Sequence, residues 1–331
     1  MTKVHNSDIH LLLSHILNKN PDILLDGILA QISEIKSRKV LKDTLFYMEK
    51  QQILMNPSLI MYNCENHTNR YLIAEVKNWN DLYRRIICKN YETIEAAYYI
   101  RSWKGNRLAF LWYHNTLEKE VQNVVEEGPI EYFRIIHPQS LTDRALASAW
   151  EMEPGKKSYI LSEKLDKHLD WDYDTKQVFR WLNINYRLSL TEIARQIKTS
   201  RTTVRRKKEM IREAVHVYYP TFIHKYSSYS FILSSFLTEY PEFLLRVFEN
   251  LSATSYLFGN QNRTLCYLAT TLPGYLMRTL ENLEERGVVE DLNAEITAKG
   301  WNQIEEEYKQ GKTPEKFFWM FKRIKRKKSK L

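Results

Sequence analysis

The sequence predicts an α+β protein in which a helical segment and a mixed segment of strands and helices alternate twice. Three observations predict this class. Apolar residues in 7–17 and in 174–184 recur at the spacing of amphipathic helices. Short runs of β-branched and aromatic residues, separated by turn residues, follow each helical stretch. The second half then repeats the element order of the first, with a period of about 160 residues.

The composition favours a folded protein with an anionic partner. Of 331 residues, 44% are hydrophobic, which is enough to form several cores. The net charge of +9 suits nucleic acid or an anionic membrane surface, without choosing between them. The three cysteines, Cys64, Cys88 and Cys266, lie far apart and show no zinc-ligand spacing. We therefore expect buried, reduced thiols, no metal site and no cofactor.

The N-terminal region lacks the pattern of a targeting segment. Its short apolar run is interrupted by His10, Ser14 and His15, and no small-residue cleavage site follows. No run in the sequence approaches the roughly 20 apolar residues that a membrane-spanning helix needs. These features predict a cytoplasmic protein without a membrane partner.

Residues 1–66 have the pattern of a winged helix-turn-helix domain. A helix over 7–20 and a short second helix precede a third helix, for which Ser37 is a suitable N-cap. Two short strands around an Asn-Pro turn are expected over 53–63 and would form the wing.

Residues 67–138 change to a β-α-β-β-α-β order, which predicts a ferredoxin-like domain with both helices on one face of a sheet. The expected strands and helices are 70–76, 79–88, 93–103, 108–114, 117–127 and 130–136.

The order then starts again after a connector over 139–171. A second winged helix-turn-helix is expected over 172–226, a second ferredoxin-like domain over 227–295, and a C-terminal helix with a basic tail over 296–331. A tandem duplication explains this order, and two unrelated α+β domains are the alternative.

The stretch 188–211 carries the clearest motif. Ser189 and Glu192 form a capping box for one helix, and Ser200 is an N-cap for the next. The second helix is strongly basic, and an anionic partner such as the major groove of DNA would offset the repulsion between its like charges. Its candidate DNA-binding residues are Ser200, Arg201, Thr202, Thr203, Arg205, Arg206 and Lys207.

Position along this helix separates two expected roles. We expect Arg201, Thr202 and Arg205 to reach base edges, because they lie at the start and on one face. Phosphate contacts are expected from Thr203, Arg206 and Lys207. A solvated basic helix without a DNA partner is the alternative.

The corresponding helix of the first half is less basic. Its candidate contacts are Ser37, Arg38, Lys39 and Lys42, whereas Asp43 would face phosphate unfavourably. This copy is either a weaker reader of DNA or a structural remnant.

The motif SLTEIARQI, followed by TSRTTVRRKKEMI and then by a sheet domain, resembles the Lrp/AsnC family of transcription regulators. The resemblance covers 174–292 well and 7–136 weakly. It implies gene regulation by binding to double-stranded DNA, self-association through the sheet domains, and often control by a small molecule such as an amino acid. We expect such a protein to be cytoplasmic and nucleoid-associated. The effector would lie near a hairpin, either Gly259, Asn260 and Asn262 or the segment 105–107.

Two other functions also fit the sequence. Siroheme decarboxylases have a similar layout and would use His114, His137 and Arg134 for acid–base work and propionate binding. A nucleoid protein would bind DNA without sequence preference. We expect a regulator and not an enzyme, because an exposed arginine-rich helix has no use in such an enzyme. The basic tail is expected to be a disordered phosphate-binding segment, a docked helix or a membrane-surface anchor.

Overall fold

The structure is α+β, as the sequence predicts, and the largest sheet that its described residues form is antiparallel and has nine strands. It is a computed structural model that describes residues 6–88, 94–101, 107–117, 121–158, 160 and 164–302. Residues 105 and 106 of the alternative effector segment and the tail from residue 303 onward therefore lie outside the described residues. No helix within the described ranges is long and apolar enough to cross a bilayer.

The elements are numbered along the chain. The helices are α1 Ser7–Lys19, α2 Leu25–Leu29, α3 Arg38–Lys50, α4 Trp79–Asp81, α5 Leu146–Ala149, α6 Tyr173–Ile184, α7 Leu190–Gln196, α8 Arg201–Arg212, α9 Pro241–Phe248 and α10 Pro273–Glu285. A π-helical turn, Leu82–Ile87, continues α4. The strands are β1 Ser58–Met61, β2 Asn69–Glu75, β3 Ile94–Arg101, β4 Arg107–His114, β5 Val124–Pro129, β6 Tyr132–Ile136, β7 Val215–Tyr218, β8 Ser230–Leu237, β9 Ser255–Gly259, β10 Thr264–Thr270 and β11 Glu290–Asn302.

The nine strands follow the order β5-β2-β4-β3-β11-β8-β10-β9-β6. Sequence analysis predicts two separate sheets, and this is wrong in two places. Strand β11 pairs with β8 and then with β3, so it joins the two halves. Strand β6 was expected to complete the first sheet, but it pairs with β9 of the second half.

Two predicted helices are replaced by strands. The helix expected over 117–127 is absent from the described part of that range, and β5 pairs there with β2. Its Val124 and Val125 are β-branched, and pairing supplies the edge of β2 with backbone partners. The C-terminal helix expected within 296–331 is also absent as far as residue 302, because β11 continues there along β3.

The two wings are also different from the prediction. Instead of forming a hairpin within each unit, β1 of the first unit pairs with β7 of the second in a two-stranded ribbon. The ribbon places Leu59 in the core of the second helix-turn-helix unit. Tyr219, just after β7, lies in the core of the first. Each unit thus completes its core with a side chain from the other.

The sheet curls so that its two halves face each other. Alternate side chains of β10 point inward, Leu265 and Tyr267 among them, while Cys266 and Leu268 lie beneath the helices. The rings of Phe110 on β4 and Phe258 on β9 are 5.8 Å apart, although several strands lie between β4 and β9 in the sheet order. The inner layer is therefore packed, largely with aromatic rings.

The connector is anchored to the second half by Asp143. This carboxylate is fully buried and accepts hydrogen bonds from Ser252 N (2.7 Å) and Oγ (2.6 Å), from Thr270 Oγ1 (2.7 Å) and from Thr271 N (2.6 Å). Burial alone would raise the pKa of Asp143, but hydrogen bonds, chiefly from Ser252 and Thr270, lower it below the usual value. The ionised form is the one that these donors stabilise.

Candidate nucleic-acid interface and the cleft between the sheet halves

Helix α8 begins where the sequence predicts. The hydroxyl of Ser200 accepts a hydrogen bond from Thr203 N at 3.0 Å, which satisfies one free donor of the first turn. Before it, Lys198 has a φ of 54°, which makes the sharp turn out of α7. Val204 and Ile211 are fully buried in the core of the unit. The opposite face of α8 is thereby directed away from the protein.

That outward face carries four of the predicted DNA contacts. Arg201, Thr202, Arg205 and Arg206 are exposed, and Thr203 is half-buried beside its cap. The three arginines form no ion pair with any residue in the described part of the chain. We call this set, Arg201, Thr202, Arg205 and Arg206, the α8 basic face. Its side chains are available to an anionic partner.

Lys207 does not belong to this face. It is 4% exposed, and its Nζ donates to both carboxylate oxygens of Asp172 at 2.7 Å and to Thr175 Oγ1 at 3.0 Å. The same hydrogen bonds lower the pKa of Asp172, with Lys207 as the main cause. Lys207 therefore joins α8 to α6, and its predicted phosphate contact is replaced by a structural one.

The C-terminal half of α8 is fastened to the first unit through Asp22. The carboxylate of Asp22 lies 2.6 Å from Arg212 Nη1 and 3.4 Å from Lys208 Nζ, and it accepts a hydrogen bond from the Tyr186 hydroxyl at 3.2 Å. Burial lowers the pKa of Lys208, and its ammonium lies 3.8 Å from the centre of the Tyr186 ring. Arg187 adds hydrogen bonds to backbone carbonyls on both sides of Asp22.

In the first unit, Ser37 caps α3 by accepting from Val40 N at 3.3 Å. The weaker candidate contacts, Arg38, Lys39 and Lys42, are all exposed. Unlike its counterpart in α8, Arg38 is engaged: its guanidinium donates from two nitrogens to the carboxylate of Asp26 on α2. This pair raises the pKa of Arg38 and lowers that of Asp26.

The predicted effector hairpin lies at the junction of the two halves. Gly259 has a φ of 151°, and a Cβ atom there would lie 2.1 Å from the carbonyl oxygen of Arg263, so only glycine fits this turn. Asn260 holds the turn by accepting from Asn262 N and Arg263 N at 2.9 and 3.0 Å. Its amide also donates to Pro129 O of the first half at 3.2 Å.

A cleft of about 450 Å³ opens beside this hairpin, and we call it the junction cleft. Asn260 and Asn262 line it, whereas Gly259 does not. Its other lining residues come from both halves, namely Tyr71, Glu126, Glu127, Gly128, Pro129, Arg263 and Asp291.

The charges inside the junction cleft are mostly paired. Arg263 donates to Asp291 at 2.5 Å and to Ser235 at 2.7 Å, and it lies 3.5 Å from Glu126. The Tyr71 hydroxyl donates to Glu126 at 2.8 Å, and burial followed by this contact raises the pKa of Tyr71. Two carboxylates, Glu126 and Asp291, thus share one arginine, so the lining of the cleft has a net negative charge.

The residues suggested for tetrapyrrole chemistry take part in different contacts. His114 stacks on His67 with ring centres 5.2 Å apart. Burial, followed by the charges of His216 and His15, lowers the pKa of His137 to about 4. This ring is therefore neutral near pH 7. Arg134 donates to the neighbouring carbonyl of Phe133 at 3.1 Å.

Cys64 and Cys266 are buried, as expected, but Cys88 is exposed. Within the described ranges, no group of three or more His, Cys, Asp or Glu side chains has the arrangement of a metal site.

Sequence reasoning missed three features of these sites. The burial of Lys207 had a signal, because it lies three residues after Val204 and four before Ile211, on the same helical face. The other two features are the pairing of Arg38 with Asp26 and the ion pairs of Asp22 with Lys208 and Arg212. Both depend on contacts between different elements, for which local spacing gives no signal.

No family model and no curated protein matches the sequence. Among solved structures, the siroheme decarboxylase NirDL is similar to 92% of this chain over 98% of its own length, with 10% identity and a TM-score of 0.47. NirDL in complex with an iron-uroporphyrin III analogue covers the same shares, with 12% identity and a TM-score of 0.41. The resemblance to Lrp/AsnC regulators therefore remains a prediction that rests on sequence motifs.

These structures contradict the prediction of a non-enzyme, because both belong to an enzyme and span nearly the whole chain. At 10–12% identity, the likeness assigns no substrate or reaction to this chain.

Proposed function

We propose that this chain binds double-stranded DNA through α8, as a sequence-specific regulator would, with a small molecule acting at the junction cleft. The observation that carries the proposal is the α8 basic face. Three exposed arginines without an ion partner in the described part of the chain follow a capped turn in helix-turn-helix order. Such a helix fits the major groove, where arginines reach guanine edges and phosphates.

The rest of the second unit supports this role. Helices α6 and α7 pack against the buried side of α8, so the basic face is presented on a rigid support. Lys207 strengthens this support, because its ammonium ties α8 to the start of α6. Lys208 and Arg212 are occupied at Asp22, which leaves the N-terminal half of α8 as the contacting part.

Duplex binding can be measured by fluorescence anisotropy against DNA selected from a random pool. The Arg201→Ala, Arg205→Ala double variant is expected to lose at least tenfold in affinity. The slope of log K against log salt should fall by about 0.9 for each phosphate contact removed. Arg278→Ala, an exposed arginine on α10, is the single-charge control and should leave both quantities unchanged.

Competition with unrelated DNA separates two forms of the proposal. Binding that survives competitor supports a sequence-specific regulator, and binding that competitor removes supports a nucleoid protein. If the double variant binds DNA with the affinity of the wild type, α8 is not the helix that binds DNA.

The effector part of the proposal concerns the junction cleft. Asn260 and Asn262 line it with polar groups, and residues of both halves meet there, so a ligand would couple the two. The acidic balance around Arg263 suits a ligand with an ammonium group, such as an amino acid. Addition of single amino acids during the anisotropy titration tests this; unchanged affinity with every amino acid removes the effector from the proposal.

A second candidate is an enzyme that acts on a tetrapyrrole, and the junction cleft is the observation that favours it. Arg263 lines this cleft, and a propionate group would bind it by displacing Glu126 or Asp291. Titration with siroheme, followed by visible absorbance and by mass spectrometry of the pigment, decides this candidate. A saturable spectral shift with loss of carbon dioxide supports it, and an unchanged spectrum excludes it.

A further inference from the structure

The caps of the two recognition helices allow α3 and α8 to be compared position by position. Ser37 caps α3 and Ser200 caps α8 through the same hydroxyl-to-backbone contact. Counting from the caps, Leu41 corresponds to Val204 and Met48 to Ile211, and all four are fully buried. The two helices therefore direct corresponding positions outward.

Of three corresponding outward positions, one differs in charge and another differs in its ion partner. Arg201 corresponds to Arg38, Arg205 to Lys42 and Arg206 to Asp43. The three positions on α8 carry arginines that have no ion partner in the described part of the chain. On α3 the first arginine is bound to Asp26, and the third position is an exposed acid. The first unit thus places two carboxylates, Asp43 on α3 and Asp26 on α2, at outward positions where α8 has arginines.

The Asp26–Arg38 contact is positioned by local structure. Asp26 lies in the first turn of α2, and the longer connection between α2 and α3, residues 30–37, brings Arg38 alongside it. Two guanidinium nitrogens donate to the two carboxylate oxygens, a fork geometry that matches the one arginine uses on phosphate. Asp26 thus occupies the groups that a phosphate would engage.

Both helices belong to one framework. The β1–β7 ribbon and the ion pairs of Asp22 with Lys208 and Arg212 join the two units, so α3 has a fixed position relative to a duplex bound at α8.

We propose that Asp26 and Asp43 prevent α3 from binding DNA phosphates, and that they thereby determine which part of a DNA site this protein contacts. This inference rests on the proposed DNA-binding function. With both carboxylates present, α8 binds one segment of the duplex and α3 adds little. Without them, α3 contributes phosphate contacts of its own, and the protected site becomes longer.

The test is a set of variants of the full chain, measured by anisotropy over a range of salt and by hydroxyl-radical footprinting. Asp26→Asn is expected to steepen the salt slope by about 0.9, since it frees one arginine. Asp26→Asn with Asp43→Arg is expected to steepen it by about 2, raise affinity roughly tenfold near 0.1 M salt, and extend the footprint. Exposed ion pairs contribute little to folding, so these variants should retain the wild-type circular dichroism spectrum.

Two controls distinguish an effect of the Asp26–Arg38 contact from an effect of net charge. Arg38→Ala alone should leave binding unchanged, and Arg38→Ala should cancel the gain from Asp26→Asn. Glu281→Gln on α10 changes the net charge by the same amount as Asp26→Asn, outside both helix-turn-helix units, and should have no effect.

The inference is overturned if wild-type protein binds through α8 while Asp26→Asn leaves the salt slope unchanged. It is also overturned if the gain persists without Arg38 or appears equally with Glu281→Gln. An absence of any wild-type binding to DNA overturns both this inference and the proposed function.

Discussion

Leu59→Ala provides a sharp test of how the two helix-turn-helix units are joined. Leu59 belongs to the first unit by sequence, but its side chain is 7% exposed within the core of the second, in the same cluster as Val178 and Val204. Leucine-to-alanine substitutions in cores cost about 2–5 kcal/mol, depending on the cavity left behind. Because Leu59 lies at the edge of its cluster, we expect about 2–3 kcal/mol.

Hydrogen–deuterium exchange with mass spectrometry shows where this cost falls. Peptides that cover α6 and α8 should lose protection, although the substitution lies more than a hundred residues earlier in the chain. Urea denaturation gives the total change in the free energy of unfolding. Leu12→Ala on α1, which is 37% exposed, is the control and should cost under about 1 kcal/mol. The reasoning fails if Leu59→Ala loosens only residues 7–50 and leaves α8 protected.

Three further predictions follow from other contacts. Asp143→Asn should destabilise the protein by about 2–3 kcal/mol at pH 7. Because the folded pKa of Asp143 is lowered, its stabilising effect is present above about pH 4 and is lost in stronger acid, so the variant should show a shallower acid-unfolding profile there. Lys207→Met should lower the urea midpoint by removing the hydrogen bonds that join α8 to Asp172 and Thr175, yet change DNA affinity less than twofold; a tenfold loss would show that Lys207 contacts DNA. Gly259→Ala should cost about 2 kcal/mol or more in urea denaturation, because its Cβ would collide with a carbonyl oxygen in a left-handed turn; unchanged stability would refute this account of the hairpin.

Local signals in the sequence predicted the helices of the second unit well. The start of α8 at Ser200 follows from one hydroxyl and the backbone groups of the next turn, and these are close in sequence. The burial of Val204 and Ile211 likewise follows from helical spacing.

Pairing between distant segments was not predictable in the same way. A strand pattern shows that β6 is extended, but not that it pairs with β9 rather than with its own half. The same holds for β1 and β7, which replace two expected hairpins by one shared ribbon. The helix expected over 117–127 was wrong because a run of acidic and β-branched residues fits both patterns until its neighbour, β2, is known.

The candidate site was predictable in part for the same reason. The basic face of α8 is a property of one helix, so spacing and charge were enough to propose it. The neutralisation of Arg38 by Asp26 depends on the path of residues 30–37, and the junction cleft depends on how the two halves meet. Neither has a local signature.

The most direct measurement of the central claim is site-specific crosslinking from α8 to DNA. Thr202 is exposed at the start of the helix, and Cys88 is the exposed cysteine in the described ranges. A Thr202→Cys variant in a Cys88→Ser background can carry a photoreactive group, with Glu281→Cys on α10 as the control. We predict crosslinks from the Thr202 position to the bases of one short segment of the bound duplex, and none from the control. Crosslinking that is absent from Thr202, or equal at both positions, would contradict the claim that α8 reads DNA.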